Sequence, residues 1–219
     1  MPDNPKEVGM KQLICVIGSK GGTGKTSISH MLCHGLGLLG RHSISILTDS
    51  EREPLSRSGR HYTPLDGRSP EKLEKILEKL KSMPDWLGVI DGGGNRPELD
   101  QHLYELGGLV LLPFRDSHED MRTVLHDLDR FPNALGIPSQ WPTNTWQQMA
   151  AERTLDEVMQ SYRPRLLEPV YSVSASKLLL QAEVPANLPT ILNNVSRRLA
   201  KQVLDHLGLP YTPDDTMTD

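Results

Sequence analysis

The run Ser19-Lys20-Gly21-Gly22-Thr23-Gly24-Lys25-Thr26 gathers residue types that can hold a polyphosphate. Glycines let successive backbone N–H groups turn toward one point, a lysine supplies a compact positive charge, and a hydroxyl next to it is a magnesium ligand. Read this way, Gly21, Gly22, Thr23, Gly24, Lys25, Thr26 and Ser27 cradle the phosphates. Lys25 reaches the β and γ groups, and Thr26 gives its hydroxyl to Mg2+. The first glycine of the usual eight-residue pattern is Ser19 here, with Gly18 one position early.

Such a loop works only between a strand and a helix, and the flanking sequence supplies both. Residues 13–17 are a short apolar run ending in Gly18, the pattern of a strand buried on both faces. From Ser27, apolar residues recur at helical spacing through Leu39, and Gly40 marks the stop. Further strands are expected at 44–47, 86–91, 108–112, 134–137 and 170–173, with helices at 70–81, 117–130, 147–162 and 189–207. The helix after Ser69-Pro70 has an N-cap followed by proline, and the one after Ser117 carries Glu119 and Asp120 in its first turn. Strands alternate with helices without a linker or repeat. The expected fold class is therefore α/β, a single-domain P-loop NTPase with a mainly parallel sheet flanked by helices on both faces. Residues 1–10 are expected to be a disordered lead, 11–208 the domain, and 209–219 an acidic, solvated tail.

Composition narrows the chemistry. Of 219 residues, 37% are hydrophobic and 24% charged, the mixture of a globular chain, and no apolar run reaches the roughly 18 residues of a membrane span. The N-terminus lacks a signal pattern, so a cytoplasmic location is the expectation. Cys15 and Cys33 sit in a strand and a helix pattern, which reads as buried thiols rather than a disulfide or metal cluster. The net charge of −4 gives no global pull toward nucleic acid. One stretch is locally basic: 161–210 holds Arg163, Arg165, Lys177, Arg197, Arg198 and Lys201 against three acids.

Lys20, ahead of the double glycine, makes the loop resemble the deviant Walker A motif of the ParA/MinD superfamily of positioning ATPases. That resemblance implies ATP and Mg2+ as ligands, an ATP-dependent homodimer, and a Lys20 that reaches the nucleotide of the partner subunit. It also implies that the second strand ends near an acid orienting the attacking water. A count without gaps puts Asp49 there, beside the metal, whereas an insertion puts Asp49 and Glu51 on the family's acid pair. A plainer role for Asp49 is capping the turn after the strand. Asp91, before three glycines, matches the Walker B acid that holds Mg2+ through water. Asn144 corresponds to an asparagine that reads adenine. The ten residues before the first strand are too few for the DNA-binding domain of many partition members, and the acidic tail does not match the membrane-targeting helix of MinD-type members.

The expected function is an ATP-hydrolysing dimerisation switch that positions or segregates DNA, plasmid or chromosome, or a protein cargo, released by a hydrolysis-stimulating partner. Arg197, Arg198 and Lys201 would contact DNA without sequence preference. Two other readings use the same loop: a nucleotide-gated module of a conjugation or secretion apparatus, and a small-molecule kinase or ligase.

Overall fold

The computed structural model describes residues 9–94 and 96–212. One seven-stranded sheet organises them, in the order β3-β2-β4-β1-β5-β6-β7 with all pairs parallel. The strands are β1 (Met10–Val16), β2 (His42–Leu47), β3 (Thr63–Asp66), β4 (Trp86–Asp91), β5 (Gly107–Phe114), β6 (Ala134–Trp141) and β7 (Val170–Tyr171). Helices α1 (Lys25–Leu38), α2 (Pro70–Lys81), α3 (Pro97–Leu106), α4 (His118–Arg130), α5 (Thr145–Met159) and α6 (Thr190–Leu207) connect and cover them. Short 3-10 helices at Gln160–Arg165 and Ser174–Leu180 complete the chain.

The central strand shows why the sheet needs helices on both sides. Ile14 and Val16 point into one apolar cluster with Leu32, Leu36, Leu199 and Val203 of α1 and α6. Leu13, Cys15 and Ile17 point into another with Leu77, Leu103, Val124 and Leu155 of α2, α3, α4 and α5. Leu13 to Val16 of β1 and Ile17 just after it are all fully buried, as the unbroken apolar run predicts. Cys15 and Cys33 are buried free thiols.

The chain runs from β1 outward to β2, returns through β4, and crosses to β5 on the other side. β1 thus lies where the winding direction reverses, and the crevice at its carboxyl end is the expected ligand position of such sheets. β1 pairs with β4 so that Val16 stands opposite Asp91. The glycine-rich loop and the β4 acid therefore emerge from adjacent strands.

α1 and α6 pack closely enough that Gly35 has no room for a side chain. A methyl group there would lie 2.0 Å from the Ser196 carbonyl oxygen and 2.9 Å from Ala200 Cβ. Gly35→Ala is expected to destabilise the fold by about 2 kcal/mol or more, read as a lower midpoint of denaturant unfolding. An unchanged midpoint would show that the two helices separate at little cost.

Several expectations need correction. β1 begins at Met10, inside the expected disordered lead, because its edge pairs with Gly107. β3 and α3 were not expected at all. The helix expected over 147–162 spans Thr145–Met159, after which the chain tightens into the 3-10 segment containing Pro164. The start of the expected solvated tail is packed: Leu209 and Tyr211 lie against the α1/α6 core. Residues 1–8 and 213–219, where the rest of the two terminal expectations fall, lie outside the described residues.

Candidate functional site

The loop between β1 and α1 has the backbone its sequence demands. Gly22 and Gly24 adopt left-handed φ values of 76° and 91°, which an L side chain would strain, and Gly24 is also the N-cap of α1. The strand-to-helix turn is braced from four sides. Asp127 of α4 accepts from the Ser19 backbone N–H (2.9 Å) and hydroxyl, so a serine at the first glycine position is used rather than merely tolerated. Ser139 of β6 donates to the Thr23 carbonyl, Arg115 after β5 donates to the Gly22 carbonyl, and Lys25 Nζ donates to the Lys20 carbonyl at 2.5 Å. Lys25 is 5% exposed, and burial pulls its pKa down against the opposing pull of Asp100, Asp91 and Asp127.

A cavity of about 710 Å³ opens over this loop, lined by Gly21, Gly22, Gly24, Lys25, Thr26, Ser27, Asp49, Glu51, Gly93 and Gly94 among others. A methyl group on Gly94 would stand 3.6 Å from Gly21 Cα and 3.9 Å from Lys25 Nζ. The loops after β1 and β4 thus face each other across the opening. Of the residues expected at the site, Thr23 is turned inward and buried.

Asp91, the last residue of β4, is 1% exposed and lies two residues before Gly93 of the cavity lining. Burial raises its pKa, and a hydrogen bond from Thr26 opposes that shift. Its Oδ2 has no hydrogen-bond partner among the described residues. A buried carboxylate oxygen left open beside a threonine hydroxyl is the donor set a magnesium ion would use. Among the described residues no group of three or more His, Cys, Asp or Glu is placed to hold a metal. Such an ion would take its remaining oxygens from phosphate and water.

Asp49 faces the cavity but is engaged locally. Its Oδ1 accepts from the Glu51 backbone N–H at 3.1 Å, and its Oδ2 lies 3.2 Å from Arg52 Nε. The turn-capping role weighed for it is therefore present alongside its position in the cleft. Glu51 is exposed and lines the same cavity.

Lys20 is held by two acids of α4. Its ammonium pairs with Glu119 (2.7 Å) and Asp120 (2.9 Å) at the N-terminus of α4, and the hydrogen bonds it donates to these acids raise its pKa. Asp120 has a double task, since it also accepts from the Arg115 backbone N–H at 3.3 Å.

Beneath the loop, Asp100 and Asp127 are both buried near Gly18 and Ser19. Desolvation lifts the Asp100 pKa to about 6, Lys25 pulls it down, and Asp127 adds to the rise. The folded chain therefore binds a proton at Asp100 more tightly than the unfolded chain does. Stability from this group is highest below about pH 4 and falls as pH rises toward about 6. Asp100→Asn is expected to match wild type near pH 4 and exceed it by about 2 kcal/mol at pH 7, read from denaturant unfolding at both pH values. Equal stability at pH 7 would contradict the desolvation of this carboxyl.

Asn144 is placed elsewhere. It is the N-cap of α5, its side-chain oxygen accepting from Trp146 and Gln147 N–H, and it is not among the residues lining the cavity. Gln140 and Leu180 line the cavity instead, and Gln140 holds an unusual φ of 50° at the end of β6. Sequence reasoning also missed Arg52, Arg96 and Arg115. Arg96 donates to the Thr48 carbonyl (2.7 Å) and to the Gly92 carbonyl, tying the loops after β2 and β4 together. The only sequence signal for these was their position just past a strand end.

The basic stretch is largely spent within the fold. Arg165 donates to the carbonyls of Leu128, Phe131 and Ala134, Arg163 pairs with Glu152 and Asp156, and Arg198 pairs with Glu168. Lys201 lies 5.9 Å from the Tyr211 ring centroid, and Arg197 is half-buried. No helix among the described residues is long and apolar enough to cross a membrane.

Sheet order, loop geometry and the paired β1 and β4 termini define a P-loop α/β fold. Solved structures agree with this across nearly the whole chain. MinD of Aquifex aeolicus superposes with a TM-score of 0.63 at 15% identity, covering 88% of this chain and 96% of its own. A Borrelia burgdorferi protein described as a plasmid partition protein, bound to AMPPNP, gives 0.64 at 10% identity, covering 89% and 98%. Cobyrinic acid a,c-diamide synthase of Mycobacterium smegmatis, with ADP and magnesium, gives 0.62 at 16% identity, covering 94% and 100%. By sequence, no protein-family model matches and no curated protein is a significant match.

Proposed function

We propose that this chain is an ATPase switch of the ParA/MinD type, which binds ATP with Mg2+, dimerises in that state, and resets by slow hydrolysis stimulated by a partner. The observation that carries this reading is the pair of lysines in one loop. Lys25 is buried and lines the cleft, whereas Lys20 is partly exposed and pairs with two acids of α4. A loop that only had to hold its own nucleotide would not need the second charge.

In this reading the backbone N–H groups of residues 21–26 and Lys25 hold the phosphates, and Thr26 and Asp91 hold Mg2+, which neutralises charge on the terminal groups. Asp49 orients the attacking water. Lys20 leaves Glu119 and Asp120 to reach the nucleotide of a second copy. Structures of the same fold hold AMPPNP in one neighbour and ADP with magnesium in another, which supports the ligand class. The cargo is left unassigned. DNA contact through Arg197, Arg198 and Lys201 loses much of its motive, because Arg198 is paired and the neighbouring Arg163 and Arg165 serve the fold.

A second reading has an observation of its own. A cavity of about 290 Å³ adjoins the nucleotide cleft, sharing Thr26, Arg52 and Leu180 with it and lined by Leu47, Leu55, Leu65 and His30. An enzyme transferring phosphate to a small molecule would place its acceptor there. Phosphate release separates the two. The switch reading predicts slow, Mg2+-dependent release from ATP alone, abolished by chelator. Release that starts only when a small acceptor is added would favour the second reading, and no nucleotide binding at all would sink both.

A further inference from the structure

Arg52 stands where no part of the site so far described requires a cation. It closes a tight turn with Asp49: its backbone N–H donates to the Asp49 carbonyl at 3.3 Å, and its Nε lies 3.2 Å from Asp49 Oδ2. The turn is anchored from behind. Arg68 Nη1 donates to the Arg52 carbonyl at 2.9 Å, and Arg68 is itself clamped on Asp66 at the end of β3, Nε to Oδ1 at 2.8 Å. Backbone position is thus fixed, while the side chain is 47% exposed and lines the cleft together with Lys25, Thr26 and Gly94.

The Arg52 side chain shares its cleft with the loops after β1 and β4, where Gly21 and Gly94 face each other across the opening. The proposed function seats the terminal phosphate against Lys25 and Thr26 of the same lining.

On the basis of that reading, we propose that Arg52 is a terminal-phosphate contact supplied by the chain itself, and that Asp49 is its parking place when that phosphate is absent. A phosphate monoester end carries more negative charge than one carboxylate and accepts a guanidinium in a two-pronged contact. When ATP enters, Arg52 exchanges Asp49 for the terminal phosphate. The exchange leaves Asp49 Oδ2 open toward water, so the water-orienting acid becomes available only with a triphosphate bound. With ADP the Asp49–Arg52 pair persists and the acid stays masked.

The test compares Arg52→Ala and Arg52→Lys with wild type in affinity for AMPPNP and for ADP, both with Mg2+, and in ATP turnover. Arg52→Ala is expected to weaken AMPPNP about tenfold with ADP affinity unchanged, and to lower kcat by about 10–100-fold. Arg52→Lys should recover part of both, since it restores the charge without the fork. Equal losses for AMPPNP and ADP, or none for either, would overturn the proposal and leave Arg52 a holder of the turn. Wild type that binds both nucleotides but does not turn over ATP would sink the switch reading while the AMPPNP/ADP ratio still decides the role of Arg52. Wild type that binds neither overturns both.

Discussion

Lys25→Ala is expected to lower ATP turnover by about 10²–10³-fold, the usual scale for removing one preorganised charge from a phosphoryl-transfer site. Lys25 is the only cation in the P-loop held inside the fold, with Asp91, Asp100 and Asp127 all acting on it electrostatically. Its removal takes the counter-charge from the phosphates and from those three acids together. A second readout isolates the phosphate contact from folding. At nucleotide concentrations near 100 times Kd, wild type should gain about 2.7 kcal/mol of stability from ATP with Mg2+, and the variant almost none at the same concentration. A variant that retained both turnover and nucleotide-induced stabilisation would show that the phosphates are held elsewhere.

Asp91→Asn is expected to move activity and stability in opposite directions. The carboxylate is buried with one oxygen unpartnered among the described residues, so its charge costs the apo fold free energy, and the neutral amide should raise stability by about 1 kcal/mol at pH 7. The same change removes the anionic partner of Mg2+ and should cut turnover by about 10²-fold or more. Folded chains that tolerate a costly buried charge next to a cleft usually do so for function. Thermal midpoints without nucleotide and phosphate-release rates with Mg2+ check the two signs. A variant both less stable and fully active would contradict the assignment of Asp91.

Much of this architecture was legible because burial is periodic. The apolar run of β1, the Ser69-Pro70 start of α2 and the Ser117 cap of α4 each carry a local signal that the fold uses unchanged: Ser69 accepts from Lys72 N–H and Ser117 from Asp120 N–H. β3 escaped notice because Thr63–Asp66 is short, contains Pro64 and lies at the sheet edge, where a missing N–H is tolerated. α3 did leave a signal, with Pro97 in its first turn, Glu98 and Asp100 following, and Leu99, Leu103 and Leu106 at helical spacing.

The site was legible in its loop and less so in its walls. Gly22, Gly24 and Lys25 are fixed by backbone geometry that the sequence dictates locally. The bracing of the loop by Asp127, Ser139 and Arg115 depends on strands and helices far along the chain, which spacing alone does not relate. Asn144 illustrates the opposite hazard. Its type suits a base contact and a helix cap equally, and the fold gives it the cap.

The most direct test of the account is the solution mass of wild type and Lys20→Ala, each with ADP and with ATP plus Mg2+ under conditions that block turnover. The account predicts a monomer with ADP and a dimer with ATP for wild type, and a monomer in both states for Lys20→Ala, whose Glu119 and Asp120 partners are left behind. A wild type that stays monomeric with ATP bound, or a Lys20→Ala variant that dimerises as well as wild type, would contradict it.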